Sequence, residues 1–338
     1  MISVRRSVAI IVANMVCAFL FWISSAEGGS DGRKVKLAYA GWEVGTAIAY
    51  VGIDAGIFKK FDIDVEEVFI RDALSGGVQS LVGVDFVLGF GNPLAILQPI
   101  LAGADIVFLG SHVSVEQYAM GVRSDIAAVK ELKGKKIGVS GLGGRSDLVA
   151  RVILRRAGLD PTKDVQMVAA GLAPQRVAAL SKNLIQGAPL SPNMAAQAKE
   201  LGLKVLEVKG VPLVTALLMT TRSFVKRDQE AVRRFVKGYL TAIHYFLFHR
   251  AESLAIIKKY FTGTDPSALE NMYEAFAAQL KPLPGPNGEA VQALIDAVSA
   301  VDQRAKNVKP ADLFDLRFLE ELKASGFIKD LYTEKVSL

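Results

Sequence analysis

From Val35 onward, short apolar runs alternate with amphipathic stretches whose apolar residues recur every three or four positions. Short runs between turn signals are typical of strands, and the three- to four-residue spacing is typical of helices. The predicted strands are Val35–Ala40, Ile63–Ile70, Asp85–Gly89 and Asp105–Gly110, and the helices between them are Ala47–Ala55, Gly77–Val82 and Leu94–Leu101. This alternation predicts βαβ units around a parallel sheet.

The same alternation restarts after an extended segment at Glu116–Val122. The predicted strands are Lys136–Val139, Val165–Ala169, a short one near Gly187 and Leu203–Val208, and the helices are Ser146–Ala157, Pro174–Leu184 and Asn193–Leu201. The sequence therefore predicts two small α/β units in series, each with four or five strands.

Beyond Thr221 the pattern becomes helical. Asp265-Pro266 predicts a helix start, with an aspartate N-cap and a proline in the first turn. Three apolar stripes predict helices that pack on the core. They consist of Val232, Phe235, Val236, Tyr239, Leu240, Ile243, Phe246 and Leu247; of Leu269, Met272, Tyr273 and Phe276; and of Val291, Leu294, Ile295, Val298 and Val301.

If these helices return to the first α/β unit, the chain crosses between the units twice. Ser111–Val113 and Lys209–Pro212 are the predicted hinges. One lobe is then formed by residues 33–112 and 210–338, and the other by residues 113–209. Two such lobes that close over a cleft are a common arrangement for ligand capture.

The N-terminus has the pattern of an export signal. Arg5 and Arg6 precede an apolar run of 16 residues, Val8–Ile23, and Ser24-Ser25-Ala26 places small residues before Glu27. A bilayer-spanning helix needs about 20 apolar residues. We therefore expect residues 1–26 to be a cleaved signal peptide, with an uncleaved anchor as the alternative and the export route left open.

Composition narrows the chemistry of the 338-residue chain. Cys17, the single cysteine, lies in the predicted signal, which excludes thiol catalysis and cysteine-bound metals in the mature chain. Two of the 40 basic residues and none of the 34 acidic ones lie there too, so the net charge falls from +6 to +4. No basic run is interleaved with aromatic residues, so we expect no nucleic-acid partner, and we also expect no cofactor or metal.

In an open α/β sheet, ligands bind beyond the carboxyl ends of the strands. In the first unit the candidates lie in the loops Gly41–Thr46, Arg71–Gly77 and Gly89–Pro93. Trp42 is predicted to form one wall of a pocket, and the glycine-rich helix starts and the Asn92 amide are predicted to bind a small molecule. The alternatives are that Trp42 packs in the core and that the glycines form turns without a ligand. The candidate residues are Trp42, Thr46, Ser75, Gly76, Gly77 and Asn92.

In the second unit the strongest signal is Ser140–Asp147, between a predicted strand and a helix. Glycines permit close approach of the backbone, and Arg145 offers a planar fork for a carboxylate or a sulfonate. The segment matches neither G-x-G-x-x-G nor a Walker A loop. The candidate residues are Ser140, Gly144, Arg145, Ser146 and Ser191, and the alternative for Arg145 is a surface pair with Asp147.

The sequence contains no motif that is typical of a catalytic site. His112 lies near a predicted hinge, whereas His244 and His249 fall on the long predicted helix and are expected to be structural. No nucleophile has an identifiable base, and no histidines or carboxylates have metal-ligand spacing.

Five segments together resemble the periplasmic solute-binding proteins of ABC importers for nitrate, taurine and sulfonates, a family that includes binders of thiamine pyrimidine precursors. The segments are Val35–Thr46, the stretch from Ala49 through AGIFKKFDIDVE, GGVQSLVGVDFVLG, VKELKGKKIGVSGLGGRSD and ILRRAGLDPTKDVQMV. Pro192 also matches the family, but Asn183–Ala188 lacks the acidic residue of its Gly-x-x-Asp-Ala turn. The missing cysteines argue against the pyrimidine-forming activity of eukaryotic relatives.

The resemblance implies an α/β fold of the type II periplasmic-binding-protein class, with two mostly parallel sheets and two crossover strands. It implies a periplasmic monomer that closes on one small solute and delivers it to an ABC permease in the inner membrane. Arg145 favours an oxyanion, whereas Trp42 and Phe90 favour a flat heterocycle. The alternatives are an exported enzyme of the same fold and a sensor that presents its closed form to a membrane receptor.

Overall fold

The computed structural model describes residues 32–39, 46–69, 83–89 and 93–333, which contain two five-stranded sheets. The strands of the first sheet are β1 (Arg33–Tyr39), β2 (Ile63–Phe69), β3 (Phe86–Gly89), β4 (Val107–Glu116) and β10 (Val211–Thr220). Their order is β2-β1-β3-β10-β4, and only β10 runs against the others. The predicted parallel sheet thus contains one antiparallel strand.

The second sheet repeats this design with strands from the middle of the chain. Its strands are β5 (Ala119–Val122), β6 (Lys136–Val139), β7 (Gln166–Ala169), β8 (Gly187–Leu190) and β9 (Lys204–Glu207). Their order is β7-β6-β8-β5-β9, and β5 is the antiparallel strand. In each sheet the antiparallel strand is the one that the chain enters just after leaving the other sheet.

Helices flank both sheets. They are α1 (Ala47–Asp54), α2 (Pro93–Leu101), α3 (Arg145–Arg156), α4 (Ala173–Ser181), α5 (Pro192–Glu200), α6 (Arg222–Arg227), α7 (Gln229–Phe248), α8 (Arg250–Tyr260), α9 (Pro266–Ala277), α10 (Gly288–Ser299), α11 (Pro310–Leu313), α12 (Arg317–Ala324) and α13 (Phe327–Thr333). Short 3-10 turns lie at Phe58–Phe61, Val129–Leu132 and Gln303–Asn307. The predicted helix Gly77–Val82 lies outside the described residues.

The two predicted hinges fall inside a ribbon of paired strands. Strands β4 and β10 pair from Val107↔Thr220 to Glu116↔Val211, so Ser111–Val113 and Val211-Pro212 are both strand residues. The prediction treated Lys209–Pro212 as a hinge and assigned no strand to residues 213–220. In the structure β10 lies inside the sheet between β3 and β4 and is buried along most of its length, which suits its nearly continuous apolar sequence.

The C-terminal stripes pack on the sheets, as predicted. The long stripe is buried in α7 against α1 and the first sheet, except that Leu247 is only half-buried. Helix α10 buries Val291, Leu294, Ile295 and Val298 in a second core that also includes α3. Val301 is the exception, because α10 ends at Ser299 and leaves this side chain 47% exposed.

The predicted start of α9 is confirmed at its N-cap. The carboxylate of Asp265 accepts a hydrogen bond from the Ala268 backbone amide at 3.0 Å, and Pro266 opens the helix. The predicted export signal, residues 1–26, lies outside the described residues.

Among the described residues, we find no helix that combines the length and the apolar character needed to cross a membrane.

Candidate functional site

Two of the predicted binding residues meet at the carboxyl edge of the second sheet. Strands β6 and β8 are parallel neighbours, with Ile137 paired to Gly187. Ser140 directly follows β6 and Ser191 directly follows β8. Because parallel neighbours end at the same edge, both serines lie where a ligand of an α/β sheet is expected.

The hydroxyl groups at this edge are arranged to donate hydrogen bonds. The Ser146 hydroxyl accepts a bond from the Ser140 amide at 2.7 Å and donates to the Ser140 hydroxyl oxygen at 2.8 Å. The Ser140 hydroxyl therefore keeps its own proton for another acceptor, and Ser140 is exposed. Ser191 occupies the N-cap of α5 without using its side chain as a cap. The edge therefore suits a ligand that accepts hydrogen bonds.

The glycines of the loop between β6 and α3 are required by its geometry. Gly143 has a φ of +78°, a conformation that side chains other than glycine rarely adopt. A Cβ atom on Gly144 would lie 3.1 Å from both the Gly141 carbonyl oxygen and the Ser140 hydroxyl oxygen. The tight turn brings the positive N-terminal end of α3 to the sheet edge.

A buried ion pair supports this loop from below. Asp147 is fully buried, and its carboxylate accepts bonds from the Gly143 amide at 2.7 Å and from Arg151 Nε at 3.0 Å. Burial raises the pKa of the Asp147 carboxyl, although Arg151 and the Gly143 amide favour its ionised form. The predicted alternative, an ion pair between Arg145 and Asp147, is wrong, because Asp147 forms its ion pair with Arg151.

Arg145 forms its ion pair with Glu116, the last residue of β4. Its Nε donates to Glu116 Oε2 at 3.2 Å, and the arginine side chain remains 59% exposed. The pair ties the start of α3 to the strand through which the chain enters the second sheet. The Arg145 guanidinium thus lies at the sheet edge. A bound anion would have to compete with the Glu116 carboxylate for it.

Arg176 is a residue at this edge that the sequence did not single out. Its side chain is buried, and it donates from Nη1 to the Gly171 carbonyl at 2.9 Å and from Nη2 to the Pro189 carbonyl at 3.3 Å. Gly171 lies just beyond β7 and Pro189 lies in β8, on either side of β6. The guanidinium therefore bridges the two strands that flank β6, the strand that Ser140 follows.

No carboxylate among the described residues pairs with Arg176, and its Nε is buried without a hydrogen-bond partner. Burial lowers the pKa of the Arg176 guanidinium. A buried cation without a counter-charge costs free energy. The Arg176 guanidinium therefore gives this sheet edge a positive potential that favours a negatively charged partner. An arginine inside an amphipathic helix is usually a surface residue, which is why its position in the sequence carried no signal.

The remaining predicted residues lie in the first unit. Trp42, Ser75, Gly76, Gly77 and Asn92 lie outside the described residues. Thr46 is described and is buried at the start of α1, where its hydroxyl donates to the Tyr50 hydroxyl oxygen at 2.8 Å.

The three histidines and the possible metal ligands bear on whether the chain can bind a metal or catalyse a reaction. Among the described residues, no group of three or more histidine, cysteine, aspartate or glutamate side chains is placed to hold a metal ion. His244 stacks on Phe248, and His249 stacks on Tyr245 at the end of α7, which is consistent with packing roles. His112 lies buried in β4, with its Nε2 2.7 Å from the Tyr239 hydroxyl.

Comparison with known proteins adds a family and a fold. The sequence profile of the family described as "NMT1/THI5 like" matches residues 44–253. The protein named "Putative binding protein YtlA" of Bacillus subtilis (strain 168) is 22% identical over an alignment of 302 positions, and the match covers 79% of this chain and 82% of YtlA.

The chain resembles solved structures that include a sulfonate-binding protein and an enzyme. The sulfonate-binding protein SsuA of Methylobacillus flagellatus KT has a TM-score of 0.54 and 21% identity, over 88% of this chain and 97% of SsuA. A mutant of the desulfurization enzyme DSZB in complex with biphenyl-2-sulfinic acid has a TM-score of 0.50 and 16% identity, and the match covers 87% of this chain and 99% of DSZB. At these identities the likeness shows the fold, and it confirms the predicted fold class.

Proposed function

Because the chain belongs to the NMT1/THI5-like family, we propose that it is the extracytoplasmic solute-binding component of an ABC importer. In this function a periplasmic monomer captures one small solute and delivers it to a permease in the inner membrane. Residues 1–26 then serve as the export signal. The sulfonate-binding function of SsuA, a protein of the same fold, supports an importer component.

The solute that the sheet edge favours is a small oxyanion such as a sulfonate, a nitrate or a carboxylate. The observation that carries this choice is Arg176, a buried cation without a carboxylate partner among the described residues. The hydroxyls of Ser140 and Ser191 add donors at the same edge, and an oxyanion accepts hydrogen bonds from all of them. A flat pyrimidine-like solute would gain less from this positive potential.

Capture in this proposal depends on closure of two lobes, residues 33–112 with 210–338 and residues 113–209. The paired strands β4 and β10 form the connection about which the lobes would move. The residues beyond the carboxyl ends of β1 and β3 would complete the site from the other lobe. A solute that touches both lobes favours the closed form by its contacts in that form.

The second candidate function is an exported enzyme, which the common fold with DSZB supports. Such an enzyme would convert its ligand, whereas a binding component releases it unchanged. A sensor that presents the closed form to a membrane receptor would bind the same solute, and neighbouring permease and ATPase genes would favour transport over sensing.

Thermal unfolding with a panel of solutes tests the proposed function and the role of Arg176. We expect a sulfonate, nitrate or carboxylate to stabilise the protein, by about 2.7 kcal/mol at 100 times its dissociation constant. Replacing Arg176 with glutamine removes the buried charge, so we expect at least a tenfold weaker dissociation constant for the anion. Arg145→Ala should weaken binding less, since Glu116 already neutralises that side chain.

The matched control is Arg304→Gln, which removes an exposed arginine paired with Asp302. It should leave the ligand-induced shift unchanged. Equal stabilisation of the wild type and of Arg176→Gln by the anions would show that Arg176 does not contribute. Stabilisation by pyrimidines alone would replace the oxyanion with a heterocycle as the solute.

A further inference from the structure

A second concave site lies between α3, β7 and α10, in a cavity of about 670 Å³. Its walls come from two separate stretches of the chain, residues 142–167 and residues 292–308. The residues from Pro161 to Met167 lead into the amino end of β7. The solute site proposed above lies beyond the carboxyl ends of β6 and β8, and the cavity shares the loop after β6 with it through Leu142 but is otherwise lined by other segments.

The size of this cavity suits a small organic molecule, since ligand pockets usually measure about 300–1,000 Å³. Its lining is mixed, with more polar and charged side chains than apolar ones. Apolar side chains from both stretches line the cavity. They are Leu142, Pro161, Val165, Met167, Ile295 and Val308.

The polar part of the lining has a hydrogen-bond donor without an acceptor. Arg151 is 1% exposed and lines the cavity, and its Nε is used in the bond to Asp147. Its Nη1 is buried with no hydrogen-bond partner. A buried donor left unpaired costs free energy, so a ligand that supplies an acceptor here is favoured.

The charges around the cavity favour an anion. The lining carboxylate, Asp296, already pairs with Arg155 and accepts a bond from Gln292 Nε2 at 3.1 Å. Lys306 also lines the cavity, and its ammonium donates to Gln303 Oε1 at 3.0 Å without a carboxylate partner among the described residues. Two cations that line the cavity, Arg151 and Lys306, therefore have donors that a bound anion can use.

We propose that this cavity binds an amphiphilic anion, with its carboxylate or sulfonate toward Arg151 and Lys306 and its apolar body against Val165, Met167 and Ile295. Because Arg151 of α3 and Ile295 of α10 both line the cavity, the bound molecule contacts both stretches at once. The cations proposed to bind this anion are Arg151 and Lys306, whereas the proposed solute site uses Arg176.

Titration with a pair of fluorescent probes tests the proposal in the full-length protein. 8-Anilinonaphthalene-1-sulfonate has an apolar body and a sulfonate, whereas N-phenyl-1-naphthylamine has the same aromatic body without the charge. We expect saturable binding of the sulfonate probe that Lys306→Glu weakens at least fivefold. The control Lys323→Glu makes the same charge change on α12, away from the cavity, and should leave the affinity unchanged.

A steric pair of variants gives an independent reading if the charge change disturbs folding. Ala300 lines the cavity and the neighbouring Val301 does not, so Ala300→Trp should reduce binding of the sulfonate probe at least tenfold and Val301→Trp should not. Arg176→Gln should also leave this binding intact, which separates the second site from the solute site. Absence of saturable binding, equal affinity for the neutral probe, or equal effects of the paired variants would overturn the proposal.

Discussion

Replacing Asp147 with alanine is expected to lower the free energy of unfolding by about 3–5 kcal/mol, as measured by urea denaturation. The substitution leaves the Arg151 charge buried without its partner, since Arg151 is 1% exposed and its Nε bonds Asp147. It also removes the acceptor of the Gly143 amide, which holds the loop before α3. The variant should therefore lose both stability and the geometry of the sheet edge.

A pair with the same spacing on the protein surface is the control. Glu230 and Arg234 in α7 also form an ion pair four residues apart, but both side chains are exposed. Glu230→Ala should change the unfolding midpoint far less, because water replaces the lost partner. Replacing both buried residues, with Asp147→Leu and Arg151→Met, should recover much of the stability. Equal losses for Asp147→Ala and Glu230→Ala would contradict the account of the buried pair.

Acid is expected to destabilise the protein through His112, by about 3 kcal/mol between pH 7 and pH 4. Burial lowers the pKa of this imidazole to about 4, from about 6.5 in the unfolded chain. Because the folded pKa is the lower one, the stabilising contribution is complete above pH 6.5 and is lost as the pH falls toward 4. The neutral ring lies in β4 with its Nε2 2.7 Å from the Tyr239 hydroxyl.

Comparison with His112→Gln isolates this contribution. Glutamine is neutral throughout this pH range and retains a group that can bond Tyr239. The difference in unfolding free energy between the wild type and the variant, measured by urea denaturation at several pH values, should therefore shrink by about 3 kcal/mol from pH 7 to pH 4. A difference that is independent of pH would show that His112 titrates normally in the folded protein.

The sequence predicted the strands and helices well where their patterns are local. The segment Lys136–Val139 followed by glycines and a helix was found with its strand bounds, because a strand, a tight turn and a helix start each leave a local signal. Strand β10 was not predicted, although Val211–Thr220 is a mostly apolar run, because the segment that starts it was interpreted as a hinge. Its antiparallel direction depends on the path between the sheets, which no local pattern records.

The candidate site was accessible to sequence analysis only in part. Ser140 and Ser191 were chosen because they follow predicted strand ends, and the structure places both directly after strands. Arg176 was not chosen, because its burial and the absence of a paired carboxylate among the described residues arise only on folding. The partner of Arg145 was also misjudged, since Glu116 is 29 residues away in the chain.

Isothermal titration calorimetry with ethanesulfonate, nitrate, acetate and cytosine tests the central proposal most directly. We expect one of the oxyanions to bind with one-to-one stoichiometry and a micromolar dissociation constant, about −8 kcal/mol, and Arg176→Gln to weaken it at least tenfold. If heat release stops once the protein is saturated with the solute, the protein binds the solute without converting it. Failure of every oxyanion to bind, or continuing heat from turnover, would contradict the proposal that this chain is an anion-binding component of an importer.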